Sequence, residues 1–531
     1  EDNVDQVPVQ YSFECDVRYR GTESSLPIPY HAKSDDSELA NSTSLAKQFN
    51  EKHLQTFGYN QPGRPLELVA IRCEVKLLQS TSLDKKTVAN PTETPAKTQP
   101  KCWSDCDRIE RSELSLGDTI TAPTMVISSD STLVVEPHWV GKVLAGGVIE
   151  LRRESASVSD DDATPENDAV LLEVVARRLQ GIADSMGEVL RRTAVSVNVK
   201  ERRDYSCAVF RGDGALIANA PHVPVHLGAM GHTVRRLISV YPSMSAGDCY
   251  LSNDPFSGGS HLPDITAVTP VFCDRTVKSG RPDFFVASRA HHAEIGGRTP
   301  GSMPPDATSL AEEGVLIRDF AMVRDGVHYE NELRTLLGSG CYPSRNAEEN
   351  LADLAAQRAA GEDGVRALIE MSQTYSVSQI DYYMQRLLQV AGDTAQNWIR
   401  TLPKEPMSFS DSLDDGTVIT VTLHRLDDRL KIDFTGTAAV HPFGFNATKA
   451  IVTAVVLYVV RMVSGSNLPL CDGVLRDIDL VIPTGLLNPP ADEDPAKCAA
   501  VVAGNVETSQ RVVDVLLGAL GVAAASQGTM N

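Results

Sequence analysis

The chain has 531 residues, 42% hydrophobic and 22% charged, the balance of a folded protein too long for one hydrophobic core, so two or more domains are expected. Its formal net charge of -21, from 49 Lys and Arg against 70 Asp and Glu, excludes a nucleic-acid partner, because phosphate-backbone binding needs clustered cations. Ten cysteines without the tight spacing of a disulfide framework point to a reducing compartment, the cytoplasm.

Residues 1–6 are acidic and polar, with no initiating Met and no apolar signal core, as expected of a processed or partial chain. Alternating apolar positions predict strands over 11–19 and 66–77, with a helix over 39–57 between them, then short strands over 124–128 and 132–135. The Thr-, Pro-, Lys- and Ser-rich run 81–107 reads as a surface insertion. Within it Cys102 and Cys106 make a lone CxxxC, two ligands short of a structural zinc site.

Residues 154–167, with Asp160, Asp161 and Asp162 among serines, are too polar to bury and read as an acidic linker between a first region, 1–153, and a second, 168–531. Beyond it Leu171, Val175, Leu179, Ile182, Met186 and Leu190 recur at helical spacing, with Asn167 or Asp168 as the expected cap. Strands over 207–210 and 284–290 then alternate with helices over 346–375 and 378–401. The apolar run 451–463 falls short of the ~20 residues needed to span a bilayer, so it is expected as a core helix, with no membrane partner. The fold class is α+β: a β-rich N-terminal region followed by a larger mixed α/β domain.

Chemistry concentrates between Asn253 and Gly301. His261 and Asp264 share a tight turn made by Gly258, Gly259 and Pro263. His291 and His292 end an extended run, where successive side chains point to opposite faces, so only one of them is expected to face a site. His261, Asp264 and His291 would make a two-histidine, one-carboxylate set suited to Zn, Mn or Fe; the same spacing equally fits hydrogen-bonded histidines at loop ends. Asp254 and Glu294 are candidate general bases, against the reading that such carboxylates cap turns. His226 is a further catalytic candidate beside His222 on a proline-stiffened segment, each weighed against a packed, satisfied histidine. Cys207 in its apolar strand reads as an inert thiol. No Walker-type or GxGxxG phosphate cradle occurs, so no cofactor-binding residues are expected in this chain.

Several strings resemble the hydantoinase B/oxoprolinase family in order along the chain: Pro224–Met230 (PVHLGAM), Ser252–Phe256 (SNDPF), Gly259–Ile265 (GSHLPDI), Arg289–Gly297 (RAHHAEIGG), Tyr342–Asn346 (YPSRN) with Asp353 and Gln357, and Gly504–Gln510 (GNVETSQ). This resemblance covers residues 168 to the end. Phe13–Gly21 (FECDVRYRG), Phe57–Tyr59, Pro65–Val69 and Asp130–Thr132 are similar to the C-terminal part of hydantoinase A proteins. An A-type region running into a B-type domain resembles the plan of fused eukaryotic-type 5-oxoprolinases.

The resemblance implies ATP-dependent opening of 5-oxoproline to glutamate, a cyclic amide substrate, and a divalent metal held by His261, Asp264 and His291. That set maps onto the His-x-x-Asp turn of related acetone carboxylase subunits, with a His five residues before a Gly-Gly pair. ATP and Mg would be bound by a hydantoinase A region of the same polypeptide preceding these residues. The chain is thus expected to be incomplete at both ends, inactive alone, and a homodimer in the complete enzyme. A hydantoinase or acetone carboxylase-like activity, or a non-catalytic assembly role, stays open on these residues.

Overall fold

A computed structural model describes residues 9–22, 25–30, 38–57, 60–61, 63–77, 106–137, 139–153, 165–220, 223–274, 279–465 and 470–524. The fold is α+β, and the chain divides into two compact units, Glu1–Gln10 with Lys76–Ala169, and Tyr11–Val75 with Val170–Asn531. The expected first region, 1–153, is therefore shared between the two.

The smaller unit carries two three-stranded sheets. Thr124–Ile127 lies between Asp107–Glu110 and Thr132–Val135, and Trp139–Val143 lies between Thr119–Thr121 and Ile149–Arg153. Ile120, Val126, Val135 and Val143 form its core. The expected insertion 81–107 lies outside the described residues up to 105, and its last residue, Asp107, opens a strand.

In the larger unit, Val9–Tyr19 is flanked by Leu26–Tyr30 and Leu66–Leu77, and helix Glu38–Phe57 closes a core of Cys15, Val17, Tyr19, Ile28 and Phe49. Leu26–Tyr30 has no counterpart in the sequence reading because Pro27 and Pro29 argue against a strand. It is an edge strand, pairing Pro27 with Asp16 and Pro29 with Glu14, where a missing N–H is tolerated.

The helix expected after the acidic linker begins earlier than its periodicity suggests, at Pro165, and runs to Thr193. Asn167 and Asp168 therefore lie within its first turn rather than capping it, because proline is favoured at the first helical position; residues 154–164 of the linker lie outside the described residues.

The centre of this unit is a seven-stranded antiparallel sheet in the order Leu216–Asn219, Tyr205–Arg211, Phe284–His291, Asp264–Val271, Cys249–Ser252, Phe320–Arg324, Val327–His328. Both its faces are covered, so its central strands are buried except at half-buried His291 and show no polar alternation. On one face Cys207, Val209 and Val286 pack with Leu179 and Met186 of helix Pro165–Thr193 and with Leu368 of helix Ala347–Thr374. On the other, Ala208, Phe210 and Ala287 pack with Met230 and Val234 of helix Pro224–Val240 and Ile451 of helix Lys449–Val463.

The two long helices sit close to their expected spans, Ala347–Thr374 capped by Asn346 and Val377–Ile399 by a Ser376–Gln379 capping box. A second sheet, Met407–Ser412, Val418–Leu426, Arg429–Asp433 and Ile478–Val481, packs against Ser509–Leu520. Lys449–Val463 is buried along most of its length, as expected of 451–463. Among the described residues no helix is long and apolar enough to cross a membrane.

Candidate metal centre

Antiparallel pairing sets Asp264, the first residue of its strand, opposite His291, the last of its own. The loop before Asp264 brings in His261, whose carbonyl accepts the Asp264 N–H at 3.0 Å. Gly258 makes that loop possible: at φ +103 a Cβ would sit 2.4 Å from Thr233 N, so only glycine lets the turn press against helix Pro224–Val240. Two buried side chains clamp it. Asn253 donates to the carbonyls of Leu262 (2.7 Å) and Val315 (3.0 Å), and Arg289 donates through Nη2 to Gly258 O at 2.7 Å. Burial pushes the Arg289 guanidinium down to about 10.

The result is a group of His261, Asp264 and His291 whose ligand atoms lie within 4.8 Å of one another. Asp264 Oδ1 is 3.1 Å from His291 Nδ1, and Oδ2 is 3.0 Å from His261 Nδ1 and 3.3 Å from His226 Nε2; Ser260 also donates its hydroxyl to Oδ2. Although burial opposes it, His261 and His226 hold the Asp264 carboxyl well below the usual range, so it is an anion. Burial, against the pull of Asp264, lowers His261 and favours its neutral form. At His291 the hydrogen bond and charge of Asp264 outweigh burial and raise it.

The donors fit a divalent cation. His261 Nδ1 meets both Asp264 Oδ2 and, at 2.8 Å, Asn505 Nδ2, yet one ring nitrogen cannot donate to the first and accept from the second. His261 Nε2 and Asn505 Oδ1 are buried without any partner. Two imidazoles and a carboxylate converging with unmatched polar atoms are a donor set that could hold a divalent cation.

The other expected residues fall in different places. His226, in the first turn of its helix, bridges Ser206 Oγ (3.3 Å) to Asp264, so it supports the carboxylate from behind. His292 faces away from His291 and contacts Gln357 Oε1 at 3.1 Å and Asn350 Nδ2 at 3.2 Å. His222 lies outside the described residues, as does Cys102.

Asp254 and Glu294 do not join the group. Asp254 accepts from Phe256 N, Ser257 Oγ and Arg318 Nε, which spends its charge on a turn and an ion pair. Glu294 accepts from Gly296 N, Ser344 Oγ and both the backbone and guanidinium of Arg345. Both expected general bases are thus engaged in turns and ion pairs away from the His–Asp–His group. Cys207 is fully buried, and desolvation pushes its thiol far up, as expected of an inert residue.

Asn505 had no assigned role in the sequence, because 244 positions separate it from His261. It sits in the π-helical turn Gly504–Thr508, which Glu313 anchors by accepting from Val501 N (2.7 Å) and Val502 N (2.9 Å). Burial pushes the Glu313 carboxyl up to about 8, above its unfolded value near 4.3. Its stabilising contribution is complete below the ordinary carboxyl range and is lost as pH rises through about 8. Glu313→Gln, which keeps an acceptor for both N–H groups, is expected to flatten the fall of the thermal midpoint between pH 5 and 8 (roughly the window between those two values); scanning calorimetry across that range checks it.

A profile of the hydantoinase B/oxoprolinase family matches residues 168–531. The chain is 35% identical to 5-oxoprolinase 1 of Arabidopsis thaliana over 97% of its own length and 42% of that protein's. It is 33% identical to 5-oxoprolinase of Saccharomyces cerevisiae over 97% of its length and 41% of that protein's. The chain thus spans about two-fifths of these curated relatives.

Among solved structures, the ATP-dependent caprolactamase of Pseudomonas jessenii shares the fold at a TM-score of 0.59 and 23% identity, over 66% of this chain and 60% of that one. A nucleotide-free acetone carboxylase does so at 0.56 and 16%, over 67% and 48%. With this profile matching residues 168–531 and relatives aligned along nearly its whole length, this chain belongs to the hydantoinase B/oxoprolinase family.

Proposed function

We propose that this chain is the metal-centred hydrolytic part of an ATP-dependent 5-oxoprolinase, which opens the lactam of 5-oxo-L-proline to L-glutamate. The observation that carries the reading is the buried His261–Asp264–His291 group with its unmatched polar atoms. Support for the substrate comes from relatives named 5-oxoprolinase that align along nearly the whole chain, and from the fold shared with a caprolactamase, which also acts on a cyclic amide.

Residues 11–151 are assigned to the end of a hydantoinase A-type region, and ATP with Mg to a part of the polypeptide preceding them. The sparse, irregularly spaced cysteines support a cytoplasmic enzyme.

His261, Asp264 and His291 would hold the divalent cation, which when bound supplies Lewis-acid polarisation and activation of water. Asp264 stays anionic because three imidazoles surround it, while Ser206 and His226 hold its orientation from behind. Asn505 presents an amide to the same point, with one oxygen free for a substrate or water. Glutamate release by the full-length protein tests the reading, with 5-oxoproline supplied with and without ATP, and hydantoin and caprolactam as competitors. ATP-dependent glutamate is the expected result; none with ATP, Mg and Zn, Mn or Fe all present would overturn it.

A further inference from the structure

A cavity of about 630 Å³ lies against the Pro255–Gly258 turn, which leads into His261. It is lined by Arg235 and Arg236, by the Pro255–Gly258 turn, and by Thr448 and Lys449 at the start of helix Lys449–Val463. Although the chain carries a net charge of -21, no Asp or Glu is among the lining residues. The two arginines are partly compensated, Arg235 by Asp472 and Arg236 by Asp319, each at 2.8 Å. Lys449 is exposed and makes no ion pair with any described residue.

Three further observations point to an anion there. The helix starting at Lys449 is 15 residues long and has no side-chain cap, so its first N–H groups and its dipole face the cavity mouth. Thr448, the capping residue, is 3% exposed, and its hydroxyl has no partner, a polar atom buried at a cost that a ligand would remove. His232, also on the wall, is pushed down to about 4, chiefly by burial, with Arg235, Lys449 and Arg289 adding to the effect against Asp472.

Two of the cavity's walls continue into segments that carry the metal group and its neighbour Asn505. Gly258 precedes His261 by three residues. The backbone of Asn446 and Ala447, just before Thr448, packs against Gly504 beside Asn505.

We propose that this cavity binds a phosphate dianion, held by Lys449, the Thr448 hydroxyl and the helix start. The assignment rests on the 5-oxoprolinase reading only for the origin of the ligand: lactam opening driven by ATP cleavage to ADP releases a phosphate. The binding chemistry is common to inorganic phosphate and to the terminal phosphate of a nucleotide.

Equilibrium dialysis of inorganic phosphate against the full-length protein, without lactam, tests it. Wild type is expected to take up one more phosphate than Lys449→Glu, and Thr448→Val, which keeps the side-chain shape, to weaken that site about tenfold. Circular dichroism of both variants checks that they fold. Displacement of the Lys449-dependent phosphate by ADP would assign the site to a nucleotide phosphate, and indifference to ADP would assign it to free phosphate.

Phosphate isotherms identical in wild type and both folded variants would overturn the site. Because no turnover is read, that result would leave the lactamase reading standing, whereas failure of glutamate release would leave the phosphate site standing.

Discussion

Asp264→Asn in the full-length protein is expected to lose its divalent metal while staying folded. The substitution preserves shape in a side chain that is fully buried, but removes the charge that His261, His291 and His226 all face. Loss of an outer partner of a metal ligand costs roughly 10–100-fold in affinity, so loss of the anion itself is expected to cost at least ~100-fold on the same scale. Glutamate release should fall with it. Metal content by mass spectrometry and chelator competition read the effect. His292→Asn is the contrast, since His292 faces Gln357 and Asn350 instead, and should keep its metal. Full metal occupancy in the Asp264 variant would remove the group from the mechanism.

Gly296→Ala is expected to be strongly destabilising. Gly296 has φ +89, and a Cβ there would lie 2.2 Å from Tyr342 O and 2.9 Å from Pro343 C. The left-handed backbone costs ~1–2 kcal/mol for a non-glycine residue, and forcing atoms into a packed site a further ~1–3 kcal/mol. The neighbouring Glu294 carboxylate spans the same junction, from Gly296 N to Arg345, so displacement would break a connected set of bonds. The urea midpoint of unfolding should drop by an amount corresponding to about 2–5 kcal/mol; an unchanged midpoint would show that the 342–343 segment yields freely.

Periodic apolar residues and local turns were legible without coordinates, because they are properties of a few consecutive residues. The helices at 39–57, 346–375 and 378–401 fall within two residues of their observed ends. His261, Asp264 and His291 were legible as candidates because Gly-Gly and Pro force a tight turn and a strand alternates its faces. The start of the helix at Pro165 and the edge strand Leu26–Tyr30 were less legible, because proline signals an interruption in both cases, and its actual role depends on whether an N–H is needed there.

The chemistry of individual carboxylates lay furthest from the sequence. Asp254, Glu294 and Asp264 are alike as letters beside glycine-rich turns. Only packing surrounds Asp264 with imidazoles and saturates the other two with Arg318 and Arg345.

By itself, then, the amino-acid order determined the family and the main helices and strands, and brought His261, Asp264 and His291 forward as candidates, since each rests on short-range spacing or on ordered strings. Tertiary structure alone decided that residues 11–75 group with 170–531, that His291 rather than His292 faces Asp264, and that Asn505 joins His261 across 244 positions. Those outcomes depend on which distant surfaces meet, and contacts between distant surfaces leave no periodic trace in the chain.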